Sequence, residues 1–127
     1  MVFKDKEKLK KLNSILHPLI GQVVSEKVKS SNKEVVVVEA ALIFEAGWES
    51  IMDKIVVVNC SKDKQIERIR KSTSLTMDEI EAIMRAQLPS QEKISRADFV
   101  LENDGDLNHL RENVKKLWVK MGSCLNI

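Results

Sequence analysis

The sequence predicts an α/β fold, a parallel three-stranded sheet flanked by helices. Three observations carry that prediction. Residues 34–40 (EVVVVEA) and 54–60 (KIVVVNC) are β-branched runs without alternation, the pattern of strands covered on both faces. Residues 97–103 (ADFVLEN) supply a shorter third run. Helical periodicities lie between and around these runs with no hairpin signal, and strands that alternate with helices form parallel sheets.

The elements follow in order. Leu16, Leu19, Ile20, Val23, Val24 and Val28 recur at spacings of three and four, predicting a helix of about a dozen residues. Pro18 fits its first turn, and Gly21 weakens it slightly. Ser61 stands at an N-cap position before KDKQIERIRK, where Ile66 and Ile69 form a thin apolar stripe. Thr76 and Glu79 form a capping box that leads a helix through Ile80, Ile83 and Met84. The last helix carries Leu107, Leu110, Val114, Leu117, Trp118 and Met121 on one face, and Gly122 is expected to end it. Residues 61–96 therefore hold two charged helices between the second and third strands. That length exceeds a minimal crossover, so part of it is expected to stand off the sheet as a flap.

Composition bounds the function. A chain of 127 residues suits one domain, and 43% hydrophobic with 31% charged residues is the balance of a folded soluble protein. No apolar run approaches the roughly 20 residues of a membrane span, and MVFKDKEKLKK lacks the apolar stretch of a signal peptide. Cys60 and Cys124 show neither metal spacing nor a disulfide framework. These features predict a reduced, cytoplasmic protein with no membrane partner. With 21 basic and 19 acidic residues, the net charge of +2 gives no bulk electrostatic case for nucleic acid.

Chemistry concentrates in three places. In VVVVEAALIFEAG (35–47), four valines ending in Glu39 have the form of a buried strand delivering a carboxylate to a sheet's carboxyl edge, where open α/β folds bind ligands. An acid so placed can handle Mg²⁺ beside phosphates, although many buried strands simply end in an acid. Arg68, Arg70 and Lys71, with Arg85, could neutralise a polyphosphate; the alternative is a solvated face with a Glu67–Lys71 pair. Glu102-Asn103-Asp104-Gly105 is either a plain turn or a loop whose backbone touches a flat base. His17 and His109 read as structural or exposed, Trp118 and Met121 as core, and Cys60 as a small hydrophobe. A phosphate-cradling G-x-x-x-x-G-K-[ST] loop is absent from these residues. No glycine precedes a lysine, and Arg70 and Gln65 stand where Lys71-Ser72-Thr73 would need glycines.

Taken together, the residues resemble one family. VVVVEAALIFEAGWE is similar to the strand and D-x-P-L-L-F-E segment of dephospho-CoA kinases. The similarity continues in register through Leu12-Asn13, Ile15-Leu16-His17-Pro18, Ile55-Val56-Val57-Val58 and Gln65-x-x-Arg68. It then runs through Leu75-Thr76, Arg85-x-Gln87, Ala97-Asp98 and Asn103-x-Gly105. It spans Phe3 to about Trp118, and the order and spacing are more specific than any single piece. The resemblance implies a P-loop kinase fold, here an incomplete one with a helical lid. It also implies ATP and Mg²⁺ as cofactors, and phosphorylation of the ribose 3′-hydroxyl of dephospho-CoA.

The resemblance further implies a layout within one domain of residues 1–127. Residues 3–33 would be acceptor-side helices, 34–60 core strands, 61–96 the lid, and 97–127 the last strand and C-terminal helix. Glu39 would be associated with Mg²⁺. Arg68, Arg70 and Arg85 would serve ATP from the lid, Asn103 and Gly105 would lie beside adenine, and His17, Phe44 and Glu45 would face the acceptor. Glu39 and Ala41 stand where the family commonly has Asp and Pro, and Ser72 and Thr73 replace a lid arginine and its neighbouring Asp. The chain looks like the C-terminal two thirds of such a kinase, beginning after the Walker A segment and the family's catalytic aspartate. Three readings follow: a truncated kinase inactive alone, a non-enzymatic module that self-associates through strand edges, or a remnant that binds dephospho-CoA without transfer. The edge argument predicts that Val35–Val38 and Val56–Val58 are buried on both faces, and that the chain either pairs these two strands directly or buries their edges in a self-associated form; failing both, helix 17–29 or the last helix covers the gap.

Overall fold

The computed structural model describes residues 5–125. Helix α1 spans Lys6–Ser30, a 3-10 helix spans Trp48–Ile51, and strand β1 spans Val56–Asn59. Helices α2 (Lys62–Ser72), α3 (Met77–Arg85) and α4 (Ser90–Arg96) precede strand β2 (Phe99–Glu102) and helix α5 (Leu107–Leu125). The α/β class and the flanked parallel sheet are as predicted. Two compact units are present: Met1–Asp53 with Glu81–Leu88, and Lys54–Ile80 with Pro89–Ile127. No helix among the described residues is long and apolar enough to cross a membrane.

In the second unit, β1 and β2 pair in parallel, with Val56 opposite Phe99 and Asn59 opposite Glu102. Phe99 and Leu101 alternate inward along β2 and are buried beneath α5, whose Lys120 ammonium lies 5.5 Å from the centre of the Phe99 ring. Ile55 and Ile80 complete the core of this unit. Both strands start at one carboxylate. Asp98 accepts from the Ile55 N–H at 2.8 Å and from Lys54 Nζ at 2.9 Å. These bonds hold its carboxyl below the usual range, the Lys54 ammonium being the larger cause.

In the first unit, the N-terminus of α1 is capped by Asp5, which accepts from the Lys8 N–H at 3.1 Å. After the helix, residues 41–47 wind through turns, with the Ala46 N–H donating to the Leu42 carbonyl and Trp48 N–H to Ile43, both at 2.9 Å. These turns bury Phe44, which with Ala82 forms the core of this unit.

Several expectations change. The sheet has two strands among the described residues, because residues 34–40 carry no ladder partner. A β-branched run becomes a strand only where another backbone satisfies its N–H and C=O groups. Val37 is accordingly 84% exposed, and Val58 is 59% exposed on β1, so neither valine run is buried as expected. Helix α1 begins well before Leu16 and takes Pro18 into its interior rather than its first turn, because Asp5 supplies the cap upstream. Gly122 does not end α5, which continues to Leu125, and Trp118 is 52% exposed rather than core. Residues 61–96 form three helices, not two; α4 forms where Pro89 begins a new turn. The Thr76–Glu79 capping box is present as predicted, with Glu79 Oε2 accepting from the Thr76 N–H at 3.0 Å and Thr76 Oγ1 from the Glu79 N–H at 3.4 Å. The start of the similarity at Phe3 lies outside the described residues.

Candidate functional site

The carboxyl ends of β1 and β2 lie side by side, and the loops beyond them gather the polar side chains of the second unit. This is the edge at which parallel sheets present backbone groups to ligands. Arg68 enters from the middle of α2. Its guanidinium donates to the Asn103 carbonyl at 2.8 Å and to the Gly105 carbonyl at 3.3 Å. The fork of a guanidinium suits two acceptors two residues apart, which a lysine could not match.

The same loop reaches back. Asp104 Oδ1 accepts from the Ser61 N–H at 2.9 Å, which holds the Asp104 carboxyl below its ordinary range. Ser61 occupies the predicted N-cap position of α2 but makes no side-chain cap bond; the Asp104 carboxylate stands at that helix end instead. Asn59 Nδ2 donates to Glu102 Oε2 at 3.1 Å, and Asn113 from α5 donates to the Glu102 carbonyl at 3.0 Å. Asp106 closes the start of α5 by accepting from the His109 N–H at 2.8 Å. Gly105 is required by proximity, since a Cβ there would meet His109 side-chain atoms at 2.7 Å. Loop 103–106 is thus fixed by bonds from two helices and both strand ends.

Arg70 is exposed on α2, and Arg85 pairs with Glu81 one turn back at 3.0 Å, both partners largely solvated. The Glu67–Lys71 pair forms, and it holds the Glu67 carboxyl low. Glu39 is exposed and follows a segment without a ladder, so it is not delivered to a sheet edge. No cluster of three or more His, Cys, Asp or Glu capable of holding a metal is present among the described residues. Mg²⁺ is commonly held by one or two carboxylates together with phosphate oxygens, so Glu39 fits as a single ligand and not as a site in itself.

The acceptor-side residues all lie in the first unit. His17, Pro18, Gly21, Ala46, Trp48 and Ile51 line an open cleft of about 330 Å³. The His17 ring meets Trp48 edge-on at 6.1 Å and 67°. Its Nε2 is buried without a hydrogen-bond partner among the described residues, so it is neither the satisfied nor the exposed histidine expected from sequence. Phe44 is a core residue beneath the turns, and Glu45 Oε1 accepts from the Leu88 N–H at 2.8 Å. Trp48 is the cleft residue that sequence reasoning missed; the turns that bring it to α1 have no periodic signature.

Comparison with known proteins agrees with this picture. The family model described as dephospho-CoA kinase matches residues 1–109. The dephospho-CoA kinase of Lactobacillus johnsonii is 34% identical over 125 residues, covering 96% of this chain and 63% of its own length. That of Carboxydothermus hydrogenoformans is 37% identical over 117 residues, covering 90% of this chain and 57% of its own. The crystal structure of TT1252 from Thermus thermophilus superposes with a TM-score of 0.75 at 33% identity, covering 94% of this chain and 62% of that one. The chain therefore spans less than two thirds of the length of the relatives it matches. Over the length that it does span, the chain belongs to the dephospho-CoA kinase family.

Proposed function

We propose that this chain provides the acceptor side, lid and base loop of a dephospho-CoA kinase, which transfers a phosphoryl group from ATP to the ribose 3′-hydroxyl of dephospho-CoA. The family match over residues 1–109 is the observation that carries the reading. In the reaction the 3′-oxygen bonds to the γ-phosphorus as the bond to the β-phosphate oxygen breaks, releasing ADP. Positioning and charge neutralisation supply nearly all of such catalysis.

The roles divide between the units. Backbone groups of Asn103 and Gly105 flank the adenine, and Arg68 holds them there through its two carbonyl bonds. By the resemblance, Arg70 in one unit and Arg85 in the other are the cations the family offers to phosphates, and Glu39 is the carboxylate it offers to Mg²⁺. His17 and Glu45 belong to the acceptor side, with Phe44 supporting them from beneath. The 127 residues contain no G-x-x-x-x-G-K-[ST] cradle, so this stretch by itself does not transfer phosphate.

Titrating dephospho-CoA into the 127-residue chain by calorimetry, with a coupled kinase assay in parallel, tests the reading. Saturable binding of dephospho-CoA without turnover is expected. Binding that survives His17→Ala and Trp48→Ala together would move the acceptor away from the cleft. Absence of any binding would remove the acceptor-side assignment.

A further inference from the structure

Strand β2 has β1 on one side and an open edge on the other. Two bonds fix the phase of its backbone. The Phe99 N–H donates to the Ile55 carbonyl at 3.1 Å, and the Asn103 N–H to the Asn59 carbonyl at 2.8 Å. In a parallel ladder alternate residues turn to the partner strand, so Phe99, Leu101 and Asn103 face β1. Val100 and Glu102 turn their backbone groups to the open edge. The Glu102 carbonyl does so visibly, accepting from Asn113 Nδ2 of α5 at 3.0 Å. The Val100 N–H and carbonyl and the Glu102 N–H remain on that edge for another strand. Beside it runs a groove of about 300 Å³, lined by the whole of β2 and by Asn113, Lys116, Leu117 and Lys120 of α5, with no residue of β1. An edge strand and a helix flanking one groove is an arrangement in which a sheet takes up an extended peptide as a further strand.

We propose that this groove binds an extended segment of another protein, with glutamates two residues apart, as a new edge strand on β2. Charge and spacing choose that occupant. Lys116 and Lys120 stand one turn apart on α5. Neither has an ion-pair partner among the described residues, whereas Lys115 beside them pairs with Glu112 at 2.8 Å. Four residues of helix rise about 6 Å, close to the roughly 6.6 Å between alternate residues of a strand, so carboxylates at i and i+2 match both ammoniums. The floor of Phe99, Leu101 and Leu117 is apolar, so the longer methylene stem of glutamate suits it better than aspartate. Val100, 37% exposed on the other face of the strand, offers an apolar neighbour to the residue between the glutamates. β2 carries none of the devices that keep an edge from pairing: no lysine, no proline and, in its unbroken register with β1, no bulge. A second copy is a poorer partner. Pairing β2 with β2 about a two-fold axis normal to the sheet sets both α5 helices on one face, where the Lys116 and Lys120 pairs oppose each other. The groove lies within the second unit and shares no residue with the acceptor cleft, so binding there stands independently of phosphoryl transfer.

Fluorescence anisotropy of the labelled peptide Thr-Glu-Val-Glu-Val-Thr, titrated with the 127-residue chain, tests this. Saturable binding is expected, and Thr-Lys-Val-Lys-Val-Thr should not bind. Lys116→Glu with Lys120→Glu should weaken binding of the glutamate peptide by about tenfold or more. Val100→Pro removes an edge N–H where an edge strand tolerates proline, and should weaken binding by about tenfold with the circular dichroism spectrum unchanged. The glutamate peptide N-methylated at every residue removes the donors from the other side, and it should not bind whether or not the proline variant folds. No binding of the glutamate peptide up to about 1 mM overturns the proposal. So does undiminished binding by the double lysine variant, or by the N-methylated peptide. A dimer of the chain alone that Val100→Pro makes monomeric also overturns it, because the edge then belongs to a second copy.

Discussion

The guanidinium of Arg68 meets two backbone carbonyls of one loop, and at the residue scale this bond pair has the largest consequence in the candidate site. Hydrogen bonds to a charged group contribute about 1.5–3 kcal/mol, so Arg68→Ala should lower stability by about that amount in urea denaturation. Arg68→Lys should recover only part of the loss, because an ammonium lacks the fork. A change below about 0.5 kcal/mol, the scale of ordinary surface substitutions, would show that solvent replaces both bonds. Asp98 gives a pH signature. Its folded pKa lies below the ordinary aspartate value, so its stabilisation is present above that value and disappears as pH falls through the lower folded pKa. Acid unfolding of the wild type should therefore steepen below about pH 4, and Asp98→Asn should flatten that limb while lowering stability at neutral pH. The reach of Arg68 and of Asp104 was not legible in sequence. Asp104 and Ser61 stand 43 residues apart, and a turn-forming Asn-Asp-Gly has the same local pattern whether or not a helix end waits opposite.

At the element scale, local signals that involve only neighbours in the chain were readable. The Thr76–Glu79 box formed as its spacing required, and Thr76→Ala should cost about 1 kcal/mol in thermal or urea unfolding. Helix α1 shows where such signals fail. Pro18 looked like a first-turn residue, yet a proline inside a helix is tolerated where the cap and the packing on both sides of it hold the helix together. The intrinsic cost remains, about 3 kcal/mol relative to alanine in an exposed helix. Pro18→Ala should thus raise the melting temperature, unless the cleft beside His17 and Trp48 needs the ring. A fall in melting temperature would show that packing at Pro18 outweighs the backbone term.

At the scale of the molecule, the dominant fact is how few side chains are fully inside: Phe44, Ile55, Ile80, Ala82, Phe99 and Leu101 are the buried apolar residues among those described. Arg70 and Arg85 are correspondingly open, and exposed charges are screened within about 8–10 Å at ordinary ionic strength. ATP should bind the chain weakly, and calorimetry should show the affinity falling steeply from low to high salt. Micromolar affinity that persists in high salt would reveal a preformed phosphate site elsewhere on the chain.

The sequence by itself determined the α/β class, the parallel character of the sheet, the capping box, and the family, because each depends on residue order over short spans or on ordered motifs along the chain. Only the tertiary structure decided that residues 34–40 stay outside the ladder, that Arg68 grips a loop rather than standing free, and that β2 keeps one edge open. The physical reason is common to all three. A strand, a guanidinium and a sheet edge each need a partner distant in sequence, and propensity records the need without saying whether the partner is there.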